Sequence, residues 1–222
     1  MADDVPDRDL LVERLAGQAW IDDPFAGFVD PDGARAASPV WPDARWAECA
    51  ITGRLETAER DVWEVRLTRD DLAVPVAVVF DATAEDARAR LYYDKEAFHS
   101  TEPRRPVIAP DGRPLPVLVQ RYRDAVRAAD APALAALVHP DAVIIGPPGR
   151  IDGVGFVEAI TRAPAVGSPG VPLEICTVTS VGTRYAAEFI SWRRPPHAGI
   201  GVYEFVDDLL VAARLYEGPV RR

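Results

Sequence analysis

The sequence predicts an α+β protein built from two copies of one unit, each an antiparallel sheet packed on helices. Three observations carry that expectation. First, AWIDDP (19–24) resembles AVIIGP (142–147), and ARLYY (89–93) resembles ARLYE (213–217), at nearly the same separation of 123 and 124 positions. LETAERDVWEVRLT (55–68) then lies over VTSVGTRYAAEFIS (178–191) without a gap. Second, the segment between the copies, HSTEPRRPVIAPDGRPLP (99–116), holds five prolines from Pro103 to Pro116. Proline removes a backbone donor and restrains the residue before it, so an extended linker is expected there. Third, within each copy helical periodicity gives way to strand alternation, the order of an α+β unit.

The elements follow in chain order. Residues 1–98 form the first unit, in which DLLVERLA (9–16) reads as a short helix and AWIDDP as a strand ending at proline. The stretch after Gly33 is poorly helical because Pro39 and Pro42 interrupt it. Two strands around a polar turn occupy 55–68, and ARLYY supplies a last strand. Residues 117–222 form the second unit. It opens with VLVQRYRDAVRAAD, where Leu118, Tyr122, Ala125, Val126 and Ala129 recur at helical spacing. That helix has no counterpart in the first unit. Asp130 is placed to cap a second short helix, APALAALV, with Pro132 in its first turn. Strand AVIIG, a Gly/Pro turn and a helix around GFVEAI (155–160) follow. Strands LEICTVTSVG, TRYAAEFISW and GIGVYEFV-DDLLVAARLYE complete the unit, the last bent or broken at Asp207–Asp208.

Composition narrows the function. The formal net charge of −10 over 222 residues leaves no basic stripe for tracking phosphates, so nucleic acid is not an expected partner. The acidic N-terminus lacks the layout of a signal peptide, and no apolar run approaches the ~20 residues that cross a bilayer, so no membrane partner is expected either. Two cysteines, Cys49 and Cys176, are too far apart for a metal knuckle or a disulfide framework, which fits free thiols in the cytoplasm. Lys95 is the only lysine, and the arginine and alanine bias fits a bacterial, high-G+C coding source. No phosphate loop, nucleophile elbow or metal-ligand spacing occurs, so no cofactor or metal is expected.

The run QRYRDAVRAADAPALAALVHPDAVIIGP, a Gly-containing turn, a third helix, and long strands ending in ARLYEG resemble the nuclear-transport-factor-2-like superfamily, in its SnoaL-like and ketosteroid isomerase branch. The resemblance covers nearly all of the second half and, more weakly, about Leu10 to Phe98. It implies cone-shaped units with curved sheets, arranged as an intramolecular pseudo-dimer with further homo-oligomers open to it. It also implies a small hydrophobic molecule, polyketide- or terpenoid-like, as ligand. The ketosteroid isomerase chemistry of the branch needs a carboxylate base and two oxyanion donors, a Tyr and a protonated Asp. Asp23 matches the base position and Tyr122 the helix tyrosine. Gly146 stands at the base position of the second unit, and the acid position falls near Ala77 in the first unit and Gly201 or Val202 in the second.

The sequence leaves two functions open. One is a cofactor-independent isomerase, cyclase or lyase with Asp23 as base in an apolar cone lined by Trp20 and Trp63. Tyr92 would be its donor, and Asp22, Tyr122, Glu188 and His197 are further pocket candidates. The other is a non-catalytic small-molecule-binding or dimerisation module. Each candidate also has a plain structural role. Asp-Pro at a strand end is common turn chemistry, a tyrosine on an apolar helix stripe is commonly core, and Glu188 on an alternating strand faces outward as easily as inward. His197 is expected in a loop, and His139 at a helix end.

Overall fold

In a computed structural model, which describes residues 6–81, 87–100, 102, 104–146, 149–162, 169–192 and 195–217, the chain divides into two compact units, 1–101 and 102–222. The first contains α1 (Asp7–Ala16), β1 (Trp20–Asp23), β2 (Gly27–Val29), α2 (Pro31–Ala37), β3 (Glu48–Glu56), β4 (Arg60–Arg69), β5 (Leu72–Asp81) and β6 (Arg88–Tyr93), then a 3-10 turn at Lys95–Phe98. The second contains α3 (Val117–Ala128), α4 (Ala131–Ala135), β7 (Val138–Gly146), β8 (Gly149–Asp152), α5 (Gly153–Arg162), β9 (Leu173–Val181), β10 (Arg184–Ser191), β11 (His197–Val206) and β12 (Leu209–Glu217).

Both sheets have six strands in equivalent order, β2-β1-β6-β5-β4-β3 and β8-β7-β12-β11-β10-β9. Each is antiparallel except where its first strand joins its last, β1 with β6 and β7 with β12, which run parallel. The short edge strands β2 and β8 occupy what the sequence presents as turns. Register corrects the gapless match of 55–68 to 178–191 by one residue. Gly53 pairs with Glu64 as Thr177 pairs with Glu188, so these strands are separated by 124 positions. A bulge follows in both units, at Thr52 and at Cys176, the same place in the repeat. An inserted residue at one position of two sheets is a structural device of the fold.

Local chemistry explains the helix boundaries. Asp30 caps α2 by accepting from Gly33 N at 2.7 Å, with Pro31 next to it, and Asp130 caps α4 by accepting from Ala133 N at 3.0 Å. Both satisfy donors that a helix start leaves open. Helix α4 is shorter than APALAALV suggests, because Val138 already begins β7. His139 therefore lies on a strand, its Nδ1 accepting from Asp141 N. Asp207 and Asp208, both at positive φ (49° and 65°), form the two-residue turn between β11 and β12. The stretch is thus broken at Asp207–Asp208 into a hairpin, with the left-handed pair its twist requires.

One face of each sheet carries the core. In the first unit Trp63, Val65 and Leu67 of β4 and Val76, Val78 and Phe80 of β5 alternate inward under Leu11, Leu15, Trp41 and Trp46. In the second, Ala187, Phe189, Tyr203 and Phe205 lie under Tyr122, Val126, Leu134 and Phe156. Burying one such large side chain contributes about 1.5–3 kcal/mol. Helix α1 lies against β3, the contact α3 makes with β9, and also against α2, the contact α4 makes with α5. A single helix thus meets both neighbours, and Trp41 and Trp46 from the loop after α2 fill the first core.

Candidate functional site

Asp23 ends β1 with 1 % of its surface exposed, and every position on its carboxylate is taken. Oδ1 accepts from Phe25 N at 2.7 Å and Ala26 N at 2.8 Å, closing the β1–β2 turn. Oδ2 accepts from Ser38 Oγ at 2.6 Å, which fixes the loop after α2. Tyr93 Oη on β6 donates to the same carboxylate, 3.2 Å from Oδ1 and 3.1 Å from Oδ2. A carboxylate offers about four lone-pair positions, and four donors converge here. Stacked and edge-on rings surround them, Phe25 against Tyr93 and Phe98 against Phe25, Trp46 and Tyr93. The arrangement is a clasp joining turn, loop and sheet.

The other sequence candidates fall in different places. Trp20 does not line the core: it is 38 % exposed and stacks on Phe28. Trp63 does, edge-on to Phe80 with the Arg54 guanidinium 4.5 Å above it. Asp22 points away from Asp23 by strand alternation and is half-buried, paired in register with Arg90. Tyr92 also turns away from the core, whereas its neighbour Tyr93 reaches Asp23. Tyr93 and Ser38 carried no motif. Only β-strand alternation in ARLYY could have pointed to the last tyrosine.

In the second unit Tyr122 is buried on α3, its ring 5.1 Å from Tyr203 and 6.3 Å from Phe156. Gly146 ends β7 at the position of Asp23 and brings no carboxylate. Gly201 sits on the core face, and a Cβ there would collide with the Tyr203 phenol, so the tyrosine occupies that space. Val78 holds the equivalent place in the first unit. His197 is not in a loop: it opens β11, is buried, and stands opposite Ser191. Glu188 is 1 % exposed on the face turned away from its unit's core. Register makes it the counterpart of Glu64, also 1 % exposed.

The outward faces carry a repeated ionic set that includes Arg90 and Arg214, the arginines of the matching segments ARLYY and ARLYE. Asp81 on β5 bonds Arg60 (2.9 Å) across the β4–β5 ladder and Arg90 diagonally on β6. Glu204 bonds Arg184 (3.6 Å) and Arg214 (2.7 Å) in the same geometry. Burial pushes the Asp81 carboxyl up, but Arg90 and Arg60 outweigh it and hold the group below its ordinary 3.8. The thiols are poor nucleophiles: burial pushes Cys49 up to about 11 and Cys176 up to about 12. Among the described residues no three His, Cys, Asp or Glu side chains gather as a metal site, and no helix is long and apolar enough to cross a membrane.

These features define an α+β protein whose repeated unit packs a six-stranded sheet on helices. Residues 119–213 match the model of the SnoaL-like domain family, and the two sheet-plus-helix units, with equivalent strand order, fit a tandem repeat. Solved structures similar to the chain include an NTF-2 like protein of unknown function from Burkholderia xenovorans (18 % identity, 47 % of this chain and 83 % of that one, TM-score 0.40). An LEH-like epoxide hydrolase of M. tuberculosis is also similar (19 %, 45 % and 79 %, 0.40). So is a protein with a ketosteroid isomerase-like fold from Catenulispora acidiphila, in complex with trimethylamine (15 %, 46 % and 86 %, 0.38). No curated protein matches the chain.

Proposed function

We propose that this chain is a non-catalytic protein that binds a small, mostly apolar molecule in its second unit, the first unit serving as scaffold. The saturation of Asp23 carries the reading. An isomerase, cyclase or lyase with Asp23 as base needs a lone pair facing a substrate proton. In the clasp, turn amides, Ser38 and Tyr93 take those positions. The second unit has glycine at the matching place, which supplies no base.

The test follows a cyclic β,γ-unsaturated ketone and a terpene epoxide by NMR, recording saturation-transfer contact and product over hours. Contact without product, unchanged in Asp23→Asn, is the expected result. Product that disappears in Asp23→Asn while the fold persists would restore Asp23 as a catalytic base and overturn the reading.

A further inference from the structure

The core face of the second sheet ends in a polar pair. Strand alternation puts Ala187, Phe189 and Ser191 of β10 on that face, opposite Gly201, Gly199 and His197 of β11. Ser191 is 2 % and His197 3 % exposed, so both polar groups are withdrawn from water inside an apolar sheet face. Among the described residues the Ser191 hydroxyl has no hydrogen-bond partner. A buried hydroxyl left unpaired is destabilising and uncommon in native proteins, and it calls for a purpose.

The surroundings suggest one. Between the Ser191–His197 pair and Tyr203, β11 contributes only Gly199 and Gly201 to this face, and β10 contributes Phe189 and Ala187. The Tyr203 phenol folds back over Gly201 and closes the far side. A hydroxyl donor beside an imidazole, next to an apolar stretch that lacks side chains on one strand, matches an apolar body with an oxygen acceptor at one end.

We infer that the second unit recognises a small apolar carbonyl or carboxylate compound whose oxygen accepts from Ser191 Oγ beside His197, with its apolar part along Phe189 and Gly199. This rests on the reading of the second unit as the binding unit and names the chemical class of its ligand.

Three probes of one shape test it on the full chain: naphthalene, 2-acetylnaphthalene and 2-naphthoate, with affinities from fluorescence titration and the His197 imidazole followed by nitrogen-15 NMR. An oxygen-bearing probe is expected to bind about tenfold more tightly than naphthalene and to shift the His197 signals. Ser191→Ala is expected to erase that preference while raising the Tm by about 2 °C or more, because it removes an unpaired buried hydroxyl. A preference that survives Ser191→Ala, or a Tm that falls in that variant, overturns the inference and leaves the binding reading standing. Failure of all three probes to bind overturns both.

Discussion

The two units differ most at one matched position. Asp23 in the first gathers four donors into a clasp, whereas Gly146 in the second gathers none. Around this position the repeat is close. Strand order, the bulge at Thr52 and Cys176, and the Arg-carboxylate-Arg sets all recur. What recurs serves the sheet. What does not recur marks where the units diverge. In the first, Ser38, Tyr93, Trp41 and Trp46 consolidate the interior; in the second, Ser191 and His197 leave a polar end on an apolar face. A buried carboxylate at a strand end is thus drawn into the scaffold when its neighbours supply enough donors to fill its lone pairs.

The comparison would collapse if removing the clasp were harmless. Asp23→Ala leaves two hydroxyls and two amides without their acceptor in a buried place, and should cost about 3–5 kcal/mol in urea unfolding. Gly146→Ala, at the matched but half-buried position, should cost less than about 1 kcal/mol. Equal costs would show that the two turns are equivalent after all.

A second contrast lies at Gly201 and Val78. Gly201→Ala forces the buried Tyr203 ring to move and should cost about 1–3 kcal/mol. The reverse change, Val78→Ala, removes core volume, and its cost should include the cavity left behind. A Gly201→Ala variant as stable as the parent would mean that Tyr203 has another place to go.

The ionic sets sharpen the comparison further, because Asp81 is the less exposed of the two carboxylates (17 % against 34 % for Glu204). Asp81→Asn should cost about 1–3 kcal/mol and Glu204→Gln less than about 1 kcal/mol. The folded-state value of Asp81 is depressed, so its contribution is present above the ordinary 3.8 and lost as pH falls through the lower folded value. Stability measured between pH 5 and pH 2 should therefore fall less steeply in Asp81→Asn than in the parent, and an unchanged slope would remove Asp81 from the acid limb.

The smallest effect belongs to the β11–β12 turn. Asp207→Asn with Asp208→Gly suits two residues at positive φ and should stabilise by about 0.5–1 kcal/mol, read as a small rise in Tm. A fall would mean that these acids hold something beyond the turn.

Much of the architecture was legible in the chain. Matching segments 123 and 124 positions apart, helix periodicity at Tyr122 and Val126, and Asp130 before Pro132 are local signals, and local steric and hydrogen-bonding rules turn them into elements and a repeat. Register was not legible, because a one-residue slip changes no composition but reverses every side chain. It took the β3–β4 and β9–β10 ladders to put Glu64 opposite Glu188 in the repeat. The tertiary structure also decided the meaning of Asp23. Its donors come from residues 25, 26, 38 and 93, and only folding brings a loop hydroxyl and a distant strand's phenol to one carboxylate. Residue type shows that a group can accept protons or hydrogen bonds, and the filling of its lone pairs depends on contacts far apart in sequence.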